Sequence, residues 1–128
     1  MKILMAEDDP DDRFLLNEEL KEVKCKDKIS IVNDGVELLD YLHQRGKFNP
    51  ENAPKPSLIV LDCIMPKMNG IETLYEIRSY PKFKDIPVVF LTSSSAETEY
   101  YMKQGLDVYS YLSKPFRYKD ILESANLK

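Results

Sequence analysis

Three apolar runs of this chain end in ionisable groups. Ile3-Leu4-Met5-Ala6 leads into Glu7-Asp8-Asp9, Leu58-Ile59-Val60-Leu61 into Asp62, and Tyr109-Ser110-Tyr111-Leu112 into Ser113-Lys114-Pro115. On parallel strands of one sheet these groups meet at the carboxyl edge, where open α/β sheets bind ligands. Glu7, Asp8 and Asp62 held about 5 Å apart would repel by roughly 3 kcal/mol per pair at an effective dielectric of about 20. Cations must therefore be supplied. Lys114 gives one positive charge, and a divalent metal would give the rest, keeping Asp62 ionised and nucleophilic. Oxygen-only donors select a hard ion, and few carboxylates with room for water favour Mg2+. A carboxylate nucleophile, a metal and a lysine together suit in-line phosphoryl transfer.

Such a site needs elements that deliver three chain segments to one edge. Strand-like stretches occur at 2–6, 28–32, 57–62, 86–92 and 108–113, each short and rich in Ile, Val or Leu. The uninterrupted apolar runs Leu58 to Leu61 and Val88 to Leu91 suit strands covered on both faces. Between the strands come helical spacings: Leu16, Leu20 and Val23, then Val36, Leu39 and Leu42, then Ile71, Leu74 and Ile77. A shorter segment near 96–104 and a last one near 117–127, with Ile121, Leu122 and Ala125, complete a (βα)5 pattern. The expected fold class is α/β, a doubly wound parallel sheet of five strands with helices on both faces.

Helix starts support this parse independently. Asp9 with Asp12, Asp34 with Glu37, Asn69 with Glu72, and Ser94 with Glu97 each pair an N-cap residue with an acid three positions later. Pro10 suits a first helical position, and Gly46 and Gly105 fall where helices two and four should end. Asp9, Asp11 and Asp12 are read as capping charges on the macrodipole rather than as members of the acidic site. The segment 46–56, with three prolines, is longer than usual for such a connection and is read as a surface loop available to a partner.

Composition narrows the function classes. The 128 residues are 43% apolar and 31% charged, which predicts one domain over 1–128. A net charge of -4 and a pI near 5.1 give no footprint for nucleic acid. No apolar run reaches membrane length and none resembles a signal peptide, so a cytoplasmic location is expected. Cys25 and Cys63 lack metal-ligand spacing and read as reduced thiols. The sole histidine, His43, falls on helix two and reads as a surface residue.

Taken together, these residues make the chain resemble a response regulator receiver domain of two-component signalling, over essentially its whole length. The resemblance is carried by Glu7-Asp8 after strand one and by Asp62 in Leu-Asp-Cys-Ile-Met-Pro-Lys-Met-Asn-Gly. With them go Thr92 in Phe-Leu-Thr-Ser-Ser and Lys114 in Tyr-Leu-Ser-Lys-Pro-Phe. It implies the flavodoxin-like strand order 2-1-3-4-5 and Asp62 as phosphoacceptor. Asp8 would hold Mg2+ directly, Glu7 through water, and Asp62 and the Ile64 backbone carbonyl would complete the protein ligands. Lys114 would pair with the phosphoryl group, its bond to Pro115 cis, while backbone N–H groups near Cys63 and Ser93 contact phosphoryl oxygens.

The same resemblance implies a switch. Thr92 would move toward the phosphoryl group and Tyr111 would turn inward behind it, remodelling the surface of helix four, strand five and helix five. Tyr100, Tyr101, Tyr109, Tyr111 and Tyr118 cluster in that part of the chain and are candidates for a docking surface. Asn69 stands where an Asp is common and caps equally well. Ile64, apolar where many receivers carry a polar side chain, is expected to shield the acyl phosphate from water, and Ser94 is small at the other position that tunes water access. The donor would be a sensor histidine kinase or a small acyl phosphate. With no output domain after Lys128, the resemblance favours a stand-alone receiver of the chemotaxis type that catalyses only its own phosphotransfer and autodephosphorylation. The downstream target stays open, as does a homodimer. The loop at 46–56 is similar to that of stand-alone receivers paired with bacterial phytochromes.

Two other readings share parts of this pattern. A haloacid-dehalogenase-type phosphatase needs a second Asp two residues after its nucleophile, where this chain has Ile64. A flavodoxin-like mononucleotide binder needs a Gly, Ser or Thr-rich loop after strand one, where Glu7-Asp8-Asp9 would repel phosphate.

Overall fold

A computed structural model of the chain describes residues 2–22 and 29–124. Strands and helices alternate as β1 (Ile3–Ala6), α1 (Pro10–Glu22), β2 (Ile29–Val32), α2 (Gly35–His43), β3 (Leu58–Asp62), α3 (Gly70–Ser79), β4 (Val88–Thr92), α4 (Ser95–Met102), β5 (Ser110–Ser113) and α5 (Tyr118–Ser124). All five strands are parallel, in the order β2-β1-β3-β4-β5. The expected (βα)5 sheet is therefore present, with strands one or two residues shorter at their starts than the apolar runs suggest. Cys25, Val23, Ala125 and residue 28 lie outside the described residues.

Alternation along the strands splits the core in two. Leu4, Ala6, Ile59, Leu61, Val88 and Phe90 face α2 and α3, packing on Leu38, Leu42, Leu74 and Ile77. Ile3, Met5, Leu58, Val60, Val89 and Leu91 face α1 and α5, packing on Leu16, Leu20, Tyr118 and Ile121. Burial on both faces explains why β1 is apolar throughout and β3 and β4 are apolar up to their last residues, Asp62 and Thr92. Glycine allows two close approaches. A Cβ on Gly35 would meet Thr73 Oγ1 at 2.1 Å, so α2 can lie tight on α3 only because that atom is missing.

Helix termini follow the sequence signals with two departures. Asn69 and Glu72 form a reciprocal capping box on α3, and Asp34 and Ser94 cap α2 and α4 by accepting the N–H groups of Glu37 and Glu97. The Asp9 side chain accepts from Asp11 N at 2.8 Å while its carbonyl starts the α1 ladder. The expected Gly46 terminus shifts to Gln44, which adopts the left-handed conformation (φ 54°) and closes α2; Gly46 (φ 61°) follows in the next turn. Gly105 (φ 65°) is left-handed just after α4, its N–H reaching the Met102 carbonyl.

The 46–56 segment is anchored more firmly than a free surface loop. Ala53 is buried, Tyr41 donates its hydroxyl to the Pro54 carbonyl at 2.9 Å, Gln44 donates to the Ala53 carbonyl, and Phe48 packs its ring on Tyr41. His43 also departs from expectation. It is half-buried in an aromatic cluster, with its ring 4.5 Å from that of Tyr80 and 5.2 Å from that of Phe83. Burial first, then the charges of Arg45 and Lys82, lower its pKa.

Candidate metal and phosphoryl site

Strand register brings the chemistry together. Ala6 pairs with Leu61, so Glu7 stands level with Asp62; Asp62 pairs with Leu91 and Thr92 with Ser113, so Thr92 and Lys114 each emerge one step beyond. Alternation continues past the strand ends. It sends Glu7, Asp62 and Lys114 to the α1 side of the sheet and Thr92 and Ser113 to the α4 side. The site thus has an acidic half and a hydroxyl half.

On the acidic half, Lys114 Nζ lies 2.8 Å from Asp62 Oδ2, 3.1 Å from Glu7 Oε1 and 3.1 Å from Asp12 Oδ2. Asp62 is 7% exposed and Glu7 fully buried. Burial works against the Lys114 ammonium, but the hydrogen bond and charge of Asp62, with Glu7 behind it, outweigh it and push its pKa up. Glu7 is pushed up to about 8 by burial, then by the hydrogen bond and charge of Asp62. Burial and the Asp62 charge also raise Asp8. Glu7 Oε1 sits in ion-pair range of Lys114 yet is not aligned for a hydrogen bond, so one buried carboxylate oxygen has no hydrogen-bond partner.

These features fit a divalent cation. One oxygen from each of Glu7, Asp8 and Asp62 lies within 4.8 Å of the others. An all-oxygen donor set with an unsatisfied buried oxygen is what a hard ion coordinates. Arg13 holds the loop that presents two of the three, donating to the carbonyls of Glu7 and Asp8 at 2.9 Å each. Gly70 holds the third. Its N–H donates to the Cys63 carbonyl, and a Cβ there would lie 2.8 Å from the Asp62 carbonyl oxygen and 2.9 Å from Cys63 Cα.

On the hydroxyl half, Thr92 Oγ1 is buried, 2.6 Å from Thr98 Oγ1 of α4 and 3.4 Å from Ser113 Oγ. Ser93 donates its N–H to Glu97 Oε1 at 3.2 Å and its hydroxyl to Glu97 Oε2 at 2.7 Å. Tyr111 is half-buried, set edge-on to Phe90 and donating its hydroxyl to the Tyr101 carbonyl at 3.3 Å. The Lys114–Pro115 bond is cis.

Three expectations change. The Cys63 N–H does not face the site, because it donates to the Leu91 carbonyl at 3.1 Å as the last rung of the β3–β4 ladder. The next amide, Ile64 N, reaches Asp62 Oδ1 at 3.3 Å instead. Asp12, read as a capping charge, also pairs with Lys114. Tyr118 is no surface tyrosine; its ring is buried beside α1, and its N–H is taken by the Glu19 carboxylate, which also binds Arg117. Asp12, Arg13, Glu97, Thr98 and Ser113 were not marked by sequence as site residues. Only Asp12 carried a usable signal, since it lies on the helix face one turn above the loop.

The Ile64 side chain is 63% exposed beside the acceptor carboxylate. Cys63 is a buried free thiol, its pKa pushed up by burial, then by the charges of Glu97 and Asp62. Among the described residues no helix is long and apolar enough to cross a membrane.

Comparison with known proteins agrees with this geometry. The family model for the response regulator receiver domain matches residues 3–126. The chain is 39% identical over 121 residues to the response regulator Rcp1 of Synechocystis sp., covering 94% of this chain and 81% of that protein. Among solved structures it is similar to the bacteriophytochrome response regulator RtBRR, with a TM-score of 0.83 at 36% identity, covering 98% of this chain and 75% of that one. It is also similar to the Mn2+-bound form of response regulator Rcp1, with a TM-score of 0.72 at 38% identity, covering 96% and 87%. The chain belongs to the response regulator receiver domain family, phosphoacceptor switches of two-component signalling.

Proposed function

We propose that Asp62 is the phosphoacceptor and that the chain works as a single receiver unit in the cytoplasm. The observation that carries this reading is the Asp62 carboxylate at a strand end, 2.8 Å from Lys114 and within 4.8 Å of the Glu7 and Asp8 oxygens. Receiver domains take phosphoryl groups from sensor histidine kinases. Here an Asp62 oxygen attacks phosphorus, an O–P bond forms, the donor's N–P bond breaks, and the imidazole leaves with a proton. Lys114 neutralises charge on the transferred group, as preorganised cations do in phosphoryl transfer. Mg2+, held by Glu7, Asp8, Asp62 and the Ile64 carbonyl, would neutralise phosphoryl oxygens when bound. A groove of about 260 Å3 beside Lys114, lined by Asp12, Leu15, Phe116 and Arg117, gives a kinase an apolar approach next to the site.

After transfer, Thr92 and the Ser93 N–H bind the new oxygens, Tyr111 follows, and the surface of α4, β5 and α5 changes for a downstream protein. Exposed Tyr100, Met102 and Tyr109 lie on that surface. The only catalysis proposed is phosphotransfer to Asp62 and hydrolysis of the resulting acyl phosphate, in which water releases inorganic phosphate and restores the carboxylate. A phosphatase mechanism has no general acid here, because Ile64 occupies its place. Intact-mass measurement after incubation with acetyl phosphate and Mg2+ tests the reading: wild type gains one phosphoryl group, while Asp62→Asn and chelator-treated protein gain none. An adduct that persists in Asp62→Asn would overturn it.

A further inference from the structure

Two consecutive residues of α4 occupy the two groups that a phosphoryl group on Asp62 would have to recruit. Thr98 Oγ1 donates its only hydrogen to the Ser94 carbonyl at 3.0 Å. In the 2.6 Å contact with Thr92 it therefore accepts, and the Thr92 hydroxyl hydrogen is already spent on α4. One residue earlier, the Glu97 carboxylate takes both the N–H and the hydroxyl hydrogen of Ser93. The Glu97 carboxylate thus sits on the very amide that a phosphoryl oxygen needs.

Little else fixes this helix. α4 buries no side chain fully; Tyr101, set edge-on to Phe90, is its main packing contact. The Thr98 and Glu97 bonds are thus a large part of what holds its first turns against the sheet.

We propose that Thr98 and Glu97 form a latch that holds Thr92 and Ser93 in the unphosphorylated arrangement, so that phosphorylation must exchange both bonds and thereby releases the start of α4. The proposal rests on Asp62 being the phosphoacceptor. Thr98 is a positioning residue acting through Thr92, and Glu97 a positioning residue acting through Ser93. Exchange, rather than addition, of hydrogen bonds explains how a local covalent change reaches a helix.

The test is a titration of the full chain with beryllofluoride, a phosphoryl mimic, in the presence of Mg2+. Thr98→Val removes the acceptor at nearly constant shape and should lower the half-saturating concentration by about three- to tenfold, the worth of one released hydrogen bond. Glu97→Ala should lower it similarly and independently. In a Thr92→Ala background, Thr98→Val should have no effect, since the group it restrains is gone. Unchanged affinity in both single variants, or an equal Thr98→Val effect with and without Thr92, would overturn the latch. Wild type that fails to bind beryllofluoride with Mg2+ would instead overturn the phosphoacceptor reading itself.

Discussion

A lone ammonium among buried carboxylates makes the resting site sensitive to protons. Glu7, with its pKa raised to about 8, holds a proton in the folded chain that it would release when unfolded. Its contribution to stability is therefore complete below about pH 4.5 and is lost as pH rises through about 8. Without divalent metal, the melting temperature of wild type should fall across that window relative to Glu7→Gln, measured by calorimetry. Metal must displace the same proton, so Mg2+ affinity should rise with pH over the window and binding should release protons, read as a buffer-dependent binding enthalpy. Lys114 does not confuse the result, because its raised pKa matters only at higher pH. Ile64 governs a different rate. Its exposed side chain lies beside the acceptor, and Ile64→Asn should shorten the life of the phosphorylated protein several-fold; an unchanged decay would remove the shielding role. At this scale Glu7, Asp8, Asp62 and Lys114 were legible because their types end apolar runs, and Thr92 only through the family resemblance. Arg13 and Thr98 were not, since one binds backbone carbonyls and the other a hydroxyl, contacts that impose no spacing on the sequence.

The loops that carry the site owe their shape to helix starts. Asn69 and Glu72 cap α3 immediately after the acceptor loop, and Gly70 lets that helix touch the backbone of Asp62 and Cys63. Asn69→Ala should cost about 1 kcal/mol of stability in denaturant unfolding. Gly70→Ala should cost about 1–3 kcal/mol through overpacking and should also slow labelling by acetyl phosphate, because the displaced backbone atoms belong to the acceptor residue and to Cys63 next to it. A stability loss with unchanged labelling would show that Gly70 serves packing alone. Capping pairs were readable in sequence because Asp, Asn or Ser followed three residues later by an acid has a direct mechanical meaning. The end of α2 was not: Gln44 takes the left-handed position against its intrinsic preference, with Gln44 and Arg45 both reaching back to helix carbonyls. Likewise, nothing in the polar pattern of α4 showed that it would bury no side chain.

Over the whole molecule, two cores press on one sheet and fix its register. Leu74 is nearly fully buried in the core that includes Leu61, and Leu74→Ala should destabilise the protein by about 2–5 kcal/mol in denaturant melts. The layered architecture was legible because doubly buried strands read as uninterrupted apolar runs. The anchoring of 46–56 was not, as it depends on Tyr41 and Gln44 meeting backbone carbonyls of Pro54 and Ala53. Parallel register has one more consequence. Every connection leading into β3, β4 or β5 enters at the end of the sheet away from Asp62, and every segment that touches the acceptor leaves from the other end. Variation in the stretches 44–57, 80–87 and 103–109 can therefore alter which proteins the molecule meets while its reaction stays the same, so recognition and catalysis are free to diverge at separate poles of one small body.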